Sequence, residues 1–267
     1  MIIDSIMTNN PCYKEGTKII VKGLMLHSVG CSQPKASAFI SNWNRDTFTS
    51  ACVHAFIDGL DGNVYQTLPW EYRGWHSGGA SNSTHIGVEM CEPDCIRYIG
   101  GSSFTCTNED RARDIVKRTY DAAVELFAKL CKDYNLNPLG DGVIISHSEG
   151  YMRGVACNHG DPEHIWNQLK MGYTMDGFRR DVKSKMDNTS DPHPSIMYRV
   201  QVGAYRVKIN ADIQLMRVRK HFPNAYIKHI NGYYKIQVGA YVVKSNAEVM
   251  LKRVKDKGFK AFITTEN

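Results

Sequence analysis

The octapeptide Tyr198-Arg-Val-Gln-Val-Gly-Ala-Tyr205 returns 36 residues later as Tyr234-Lys-Ile-Gln-Val-Gly-Ala-Tyr241. A repeat of that period holds one strand, one helix and a second strand, and it constrains the fold of this stretch more than any other feature of the chain. Val200 and Val202, like Ile236 and Val238, alternate with polar neighbours as half-buried strands do. An Asn-Ala pair follows each copy (Asn210-Ala211, Asn246-Ala247) and opens an apolar pattern of helical spacing: Ile213, Met216 and His221 in one copy, Val249, Leu251 and Val254 in the other. Residues 225–230 and 261–264 supply closing strands. Two copies are too few to cap a solenoid. The pattern predicts a βαβ-βαβ unit, a small α+β layer with both helices on one face of a four-stranded sheet.

Charge divides the chain in the same place. The 267 residues carry a net charge of +6, but residues 197–267 hold 14 Lys and Arg against 4 Asp and Glu, a net of +10, which leaves −4 for residues 1–196. Such asymmetry marks two modules with different partners, the basic one suited to a polyanion. The segment Asp187-Asn-Thr-Ser-Asp-Pro-His-Pro-Ser195 is polar, holds two prolines and has no apolar periodicity. The expected division is therefore a module over 1–186, a linker over 187–196 and a module over 197–267. All eight cysteines belong to the first module. The opening Met-Ile-Ile-Asp-Ser-Ile has no charged n-region, long apolar run or small-residue cleavage site, so synthesis in a reducing cytosol without Sec export, and free, mostly buried thiols, are expected. Whether Cys91 and Cys95 close a disulfide outside the cell stays open. No stretch approaches the roughly 18 apolar residues of a membrane span.

The two half-repeats, each opening on a strand with a Gln-Val-Gly core (201–203 and 237–239) between aromatics, resemble the SPOR domain. That resemblance implies binding to peptidoglycan, typically to glycan strands, through the exposed sheet face, with Gln201, Tyr205, Gln237 and Tyr241 as contact candidates. A basic sheet with aromatics also suits RNA. Neither strand carries the Lys/Arg-Gly-aromatic pattern of such sheets, so no nucleic-acid partner is expected.

In the first module two histidines end apolar runs: Gly23-Leu-Met-Leu-His27 and Gly142-Val-Ile-Ile-Ser-His147. Two such strands side by side deliver both imidazoles to one rim. Imidazoles there suit zinc, which in catalytic sites takes three protein ligands and an open position. Strand-end histidines that merely cap local carbonyls give the same pattern. A third donor would come from the loop after His147, where Cys157, His159 and Asp161 all qualify and spacing does not choose; the neighbours Val155-Ala156 suggest a packed Cys157.

Taken in order, Leu26-His27-Ser-Val-Gly30, Cys52-Val-His54-Ala-Phe-Ile-Asp58 with Asp61-Gly-Asn-Val-Tyr-Gln66, Arg73-Gly-Trp75-His76, Ile86-Gly-Val-Glu89, Ser146-His147-Ser-Glu149 and His159-Gly-Asp161-Pro162 are similar to the zinc-dependent N-acetylmuramoyl-L-alanine amidases of type 2, over nearly all of residues 1–186. The resemblance implies an α/β fold, a mixed, largely parallel central sheet flanked by helices, shared with peptidoglycan recognition proteins. It implies cleavage of the amide between N-acetylmuramic acid and the L-alanine of the stem peptide by zinc-activated water. His27 and His147 match the histidine ligands of Zn2+, and Asp161 matches the third, with Cys157 as the alternative because some members use Cys. Glu89 matches the catalytic carboxylate, ahead of the nearby Glu92 and Glu149. His159 stands where many members carry an oxyanion-stabilising Lys; a histidine does that work only as a cation or hydrogen-bond donor. Trp75 and His76 are candidates for the substrate wall, as is His54, which in mid-strand also reads as a core histidine. Relatives of this fold bind muropeptides without cutting them, so a non-catalytic receptor is the alternative to a hydrolase. A cytosolic start with a wall substrate resembles a phage endolysin, or an autolysin released by another route, acting at the bacterial cell wall, where anionic polymers suit the basic module.

Overall fold

The apolar runs of the first module become buried strands. The computed structural model describes residues 1–187, 198–241 and 244–265, without the side chains of 244–246, so the expected linker lies outside the described residues apart from Asp187. Two compact units result, Met1–Ser190 and Asp191–Asn267.

The first unit runs β1 (Ile2–Asp4), α1 (Pro11–Glu15), β2 (Gly23–Ser28), α2 (Ala36–Trp43), β3 (Ala55–Ile57), β4 (Val64–Gln66), β5 (His85–Met90), β6 (Ile96–Gly100) and β7 (Ser103–Cys106). It continues through α3 (Glu109–Asp133), β8 (Ile144–Ser146), α4 (His147–Met152), α5 (Glu163–Gln168) and α6 (Met175–Asp187). Six strands form one sheet in the order β1-β4-β3-β5-β2-β8, parallel throughout except for the β3–β4 pair. β2 is buried at every position, which is why it reads as a continuous apolar run and not as an alternating one. The long helix α3 packs a periodic apolar face against the sheet. Asn108 caps it by accepting from the Arg111 N–H, and Val116, Tyr120, Ala123, Phe127 and Leu130 join the core with β2, β5 and β8. Register does the positioning: His27 on β2 lies opposite Glu89 on β5, and Leu26 opposite Ser146 on β8, so His147 leaves the sheet at the same rim. All eight cysteines are free; Cys12, Cys52, Cys91 and Cys131 are buried. Cys95 has Cys106, across the β6–β7 hairpin, as its thiol neighbour.

The second unit runs β9 (Tyr198–Tyr205), α7 (Lys208–Arg219), β10 (Tyr226–Ile230), β11 (Tyr233–Tyr241), α8 (Lys244–Asp256) and β12 (Phe262–Thr264). Its antiparallel sheet has the order β10-β11-β9-β12, and both helices pack on the face of Val200, Val202, Ile236 and Val238. The helix faces differ from expectation. Ile213, Met216 and Val249 are exposed, and the buried stripes are Ala211, Val218 and Phe222 on one side, Ala247 and Val254 on the other. At about 100° per residue Ile213 points roughly opposite to Ala211. The small alanines let the helices lie close to the sheet, so larger apolar residues spaced on the other face go to solvent.

Candidate active site

The rim brings three donors together. Nδ1 of His27 and Nδ1 of His147 are 3.0 Å apart. Asp161, in the loop before α5, sets Oδ2 3.3 Å from the first and Oδ1 3.6 Å from the second. The main-chain N–H of Ser28 holds Asp161 by donating to Oδ2 at 3.3 Å. All three side chains are buried. Electron-rich atoms this close and this dry repel one another unless a proton or a cation lies among them. Two imidazoles and a carboxylate are a donor set that catalytic zinc accepts, so the residues fit that ion. Cys157 sits at the other ring nitrogen of His147, its Sγ 3.4 Å from Nε2 and 3.2 Å from Nδ1 of His159. It is exposed and not packed as its neighbours suggested; Gly78 makes room, since a Cβ there would stand 2.8 Å from Sγ.

Glu89 lies one strand away from His27 with its Oε2 buried and lacking a hydrogen-bond partner. Burial first, then the negative charges of Asp161 and Glu92, holds its pKa well above the usual carboxylate range. The competing carboxylates are occupied. Glu92 accepts from the Gly30 N–H at 3.0 Å and the Tyr98 hydroxyl at 2.7 Å, and burial lifts its pKa to about 7. Glu149 closes a capping box with Ser146 at the start of α4 and pairs with buried Arg179, whose Nε also donates to the Ile144 carbonyl at 2.8 Å.

Two expected wall residues lie elsewhere. His54 is fully buried: its Nδ1 accepts from the Gly87 N–H at 3.0 Å and its Nε2 donates to the Tyr72 carbonyl at 2.8 Å. With both nitrogens on main chain, and burial drawing its pKa to about 4, it is a neutral core residue out of reach of substrate. His76 is also buried and stands behind His27, its Nδ1 3.0 Å from His27 Nε2. The sequence signal for that position was Gly87 in the middle of an apolar strand, because a Cβ there would fall 2.4 Å from His76 Cγ. Trp75 is half-buried against Met7, Cys12, Cys52 and Leu68, and its main chain pairs with Cys52. His159 is exposed, its ring centroid 4.5 Å from that of His147.

In the second unit the strand register forms a row across all four strands: Tyr226, Gln237, Gln201 and Phe262. Gln201 and Gln237, expected on an exposed face, are buried, and Gln237 Oε1 accepts from the Tyr226 hydroxyl at 2.8 Å. The exposed members are Tyr226 and Phe262. A Cβ at Gly203 would lie 2.9 Å from the Tyr205 ring, and one at Gly239 2.5 Å from the Tyr241 hydroxyl. The glycine of each Gln-Val-Gly therefore lets the tyrosine two residues on fold back along its strand.

The sequence profile of the N-acetylmuramoyl-L-alanine amidases matches residues 16–164, and that of the SPOR domain matches residues 194–265. Among solved structures, the Staphylococcus aureus hydrolase AmiA is 21% identical over 70% of this chain and 83% of its own, with a TM-score of 0.52, and shares the fold. The catalytic domain of XlyA is 21% identical over 68% of this chain and 99% of its own (TM-score 0.46). The peptidoglycan binding domain of the B. subtilis cell wall lytic enzyme CwlC is 38% identical over 27% of this chain and 90% of its own (TM-score 0.25). No curated protein matches. The chain belongs to the N-acetylmuramoyl-L-alanine amidase family and carries a SPOR domain after its catalytic unit.

Proposed function

We propose that the chain hydrolyses the amide between the lactyl group of N-acetylmuramic acid and the L-alanine of the stem peptide, with zinc held by His27, His147 and Asp161. Membership of the family supports a peptidoglycan hydrolase. The observation that carries the finer reading is Glu89, a carboxylate with a buried, unpartnered oxygen next in register to His27. Zinc bound at those three donors supplies Lewis acidity, lowering the pKa of water and polarising the scissile carbonyl. Glu89 takes the proton from the attacking water, and its raised pKa lets it retain that proton until the leaving nitrogen accepts it. His159 at the exposed rim donates a hydrogen bond to the carbonyl oxygen as it gains negative charge. The SPOR domain holds the enzyme at the bacterial wall, with glycan against Tyr226 and Phe262 and its net charge of +10 drawing anionic wall polymers. Among the described residues no helix is long and apolar enough to cross a membrane.

Digestion of purified walls tests this. Wild type should expose new amino-terminal L-alanine and no new sugar reducing ends, and Glu89→Gln should slow that release by roughly 10²–10⁴-fold with zinc content unchanged. New reducing ends, or no new alanine termini, would sink the proposal.

A further inference from the structure

A histidine binds a metal through a bare nitrogen, so which nitrogen carries the hydrogen matters as much as where the ring sits. We propose that His76 is a positioning residue that fixes the tautomer of His27, so that His27 turns a bare Nδ1 toward His147 and Asp161; the proposal rests on reading those three as the metal site. Nε2 of His76 lies 3.1 Å from the main-chain oxygen of His85. A carbonyl oxygen only accepts, so that nitrogen carries a hydrogen. The neutral ring then has a bare Nδ1, and this atom is 3.0 Å from Nε2 of His27. His27 must donate across that contact, because two bare nitrogens have no attraction to hold them there. In the neutral ring its other nitrogen, Nδ1, is then without a hydrogen. That atom is the one 3.0 Å from His147 Nδ1 and 3.3 Å from Asp161 Oδ2.

The surroundings hold His76 in this role. Gly87 gives the ring its place, since a Cβ would come within 2.4 Å of Cγ and 2.6 Å of Nδ1. The main-chain N–H of His76 donates to Asn82 Oδ1 at 2.9 Å, and the same oxygen accepts from the Ser77 N–H at 2.8 Å and the Ser77 hydroxyl at 3.0 Å. The His85 carbonyl is fixed in turn, because β5 pairs with β2 from His85 onward. Without an acceptor at position 76, the better partner for the His27 hydrogen is the Asp161 carboxylate, which would put that hydrogen on the nitrogen a metal needs. His76 therefore works on the metal through another side chain, without touching metal or substrate.

Two variants of the full chain separate this from mere packing. His76→Phe keeps a flat ring and removes the acceptor, whereas His76→Asn keeps an acceptor oxygen near the position of Nδ1. Nitrogen-15 NMR of histidine-labelled, metal-free protein reads which nitrogen of the neutral His27 ring carries the hydrogen, and competition with a chromophoric chelator reads zinc affinity. Wild type should show the hydrogen on Nε2. His76→Phe should move it toward Nδ1 and weaken zinc binding roughly 10–100-fold, and His76→Asn should restore most of both. A wild-type His27 with its hydrogen on Nδ1, or a His76→Phe protein with unchanged tautomer and zinc affinity, overturns the proposal. If wild type binds no zinc at all, the proposed amidase chemistry fails, yet the NMR result still decides the role of His76.

Discussion

Replacing Gly87 by alanine puts one methyl group into the most crowded point behind the rim. Its Cβ would lie 2.4, 2.6 and 2.7 Å from Cγ, Nδ1 and Cδ2 of His76, where ordinary contacts are 3.4–4 Å. The main chain cannot give way cheaply: the Gly87 N–H donates to His54 Nδ1 at 3.0 Å, the Gly87 carbonyl accepts from the His54 N–H at 3.0 Å, and β5 is paired on both sides. The His76 ring must therefore retreat by about 1 Å to restore contact distance, which takes at least one of its contacts of 3.0 and 3.1 Å to about 4 Å, beyond hydrogen-bond reach. Overpacking of this kind costs about 1–3 kcal/mol, a melting point lower by several degrees in a domain of this size. Loss of the support behind His27 should weaken zinc binding by roughly 10–100-fold. Thermal melting of the metal-free protein reads the first effect and chelator competition the second. A variant that melts lower and binds zinc as tightly as wild type would refute the link between His76 and the ligand; one unchanged in both would refute the packing of His76 on β5.

Glu163, accepting from the Ser146 hydroxyl at 2.7 Å, has its second oxygen buried and unpartnered, and burial plus the Glu149 charge lifts its pKa from 4.5 to about 8. The folded state then binds more protons than the unfolded state between those values, so stability should fall as pH rises from about 4.5 to about 8; Glu163→Gln should remove a penalty of about 5 kcal/mol at pH 9 and nothing below pH 4, and a difference that does not grow with pH in metal-free melts would refute it. In the second unit, Val218→Ala should cost roughly 1–3 kcal/mol by denaturant titration and Ile213→Ser less than about 0.5 kcal/mol; the reverse order would refute the assigned helix face. Wall binding of a Glu89→Gln chain, read by co-sedimentation, should weaken at least about fivefold when Tyr226 and Phe262 both become alanine, and should fall as salt rises. Binding indifferent to salt would show that charge does not set the affinity.

How much of this was legible in the sequence depended on how local the signal was. Apolar runs ending in His27, His147 and Glu89 predict strand ends, and parallel pairing then brings the three to one rim, because register is a property of whole strands. The 36-residue repeat gave the layer arrangement of the second unit for the same reason. Faces and depth are not legible in the same way. Ile213 and Met216 have helical spacing, but small Ala211 decides which side meets the sheet, and spacing alone carries no such information. His76, beside Trp75, reads as a wall residue, and His54 in mid-strand reads equally as wall or core; their roles follow from backbone partners, His85 O, Tyr72 O and Gly87 N–H, which leave no trace in residue type. The choice between Asp161 and Cys157 was open for a related reason: the loop passes both sides of the His147 ring, and only its path says which residue meets Nδ1 and which Nε2.

Asp161 and Cys157 flank the same His147 ring, and the element bound to zinc tells them apart. X-ray absorption fine structure of the full chain loaded with one equivalent of zinc reports the elements bound to the metal. Nitrogen and oxygen neighbours only are expected, at about 2.0–2.2 Å, from His27, His147, Asp161 and solvent. A sulfur neighbour at about 2.3 Å would place Cys157 on the metal and contradict that ligand set.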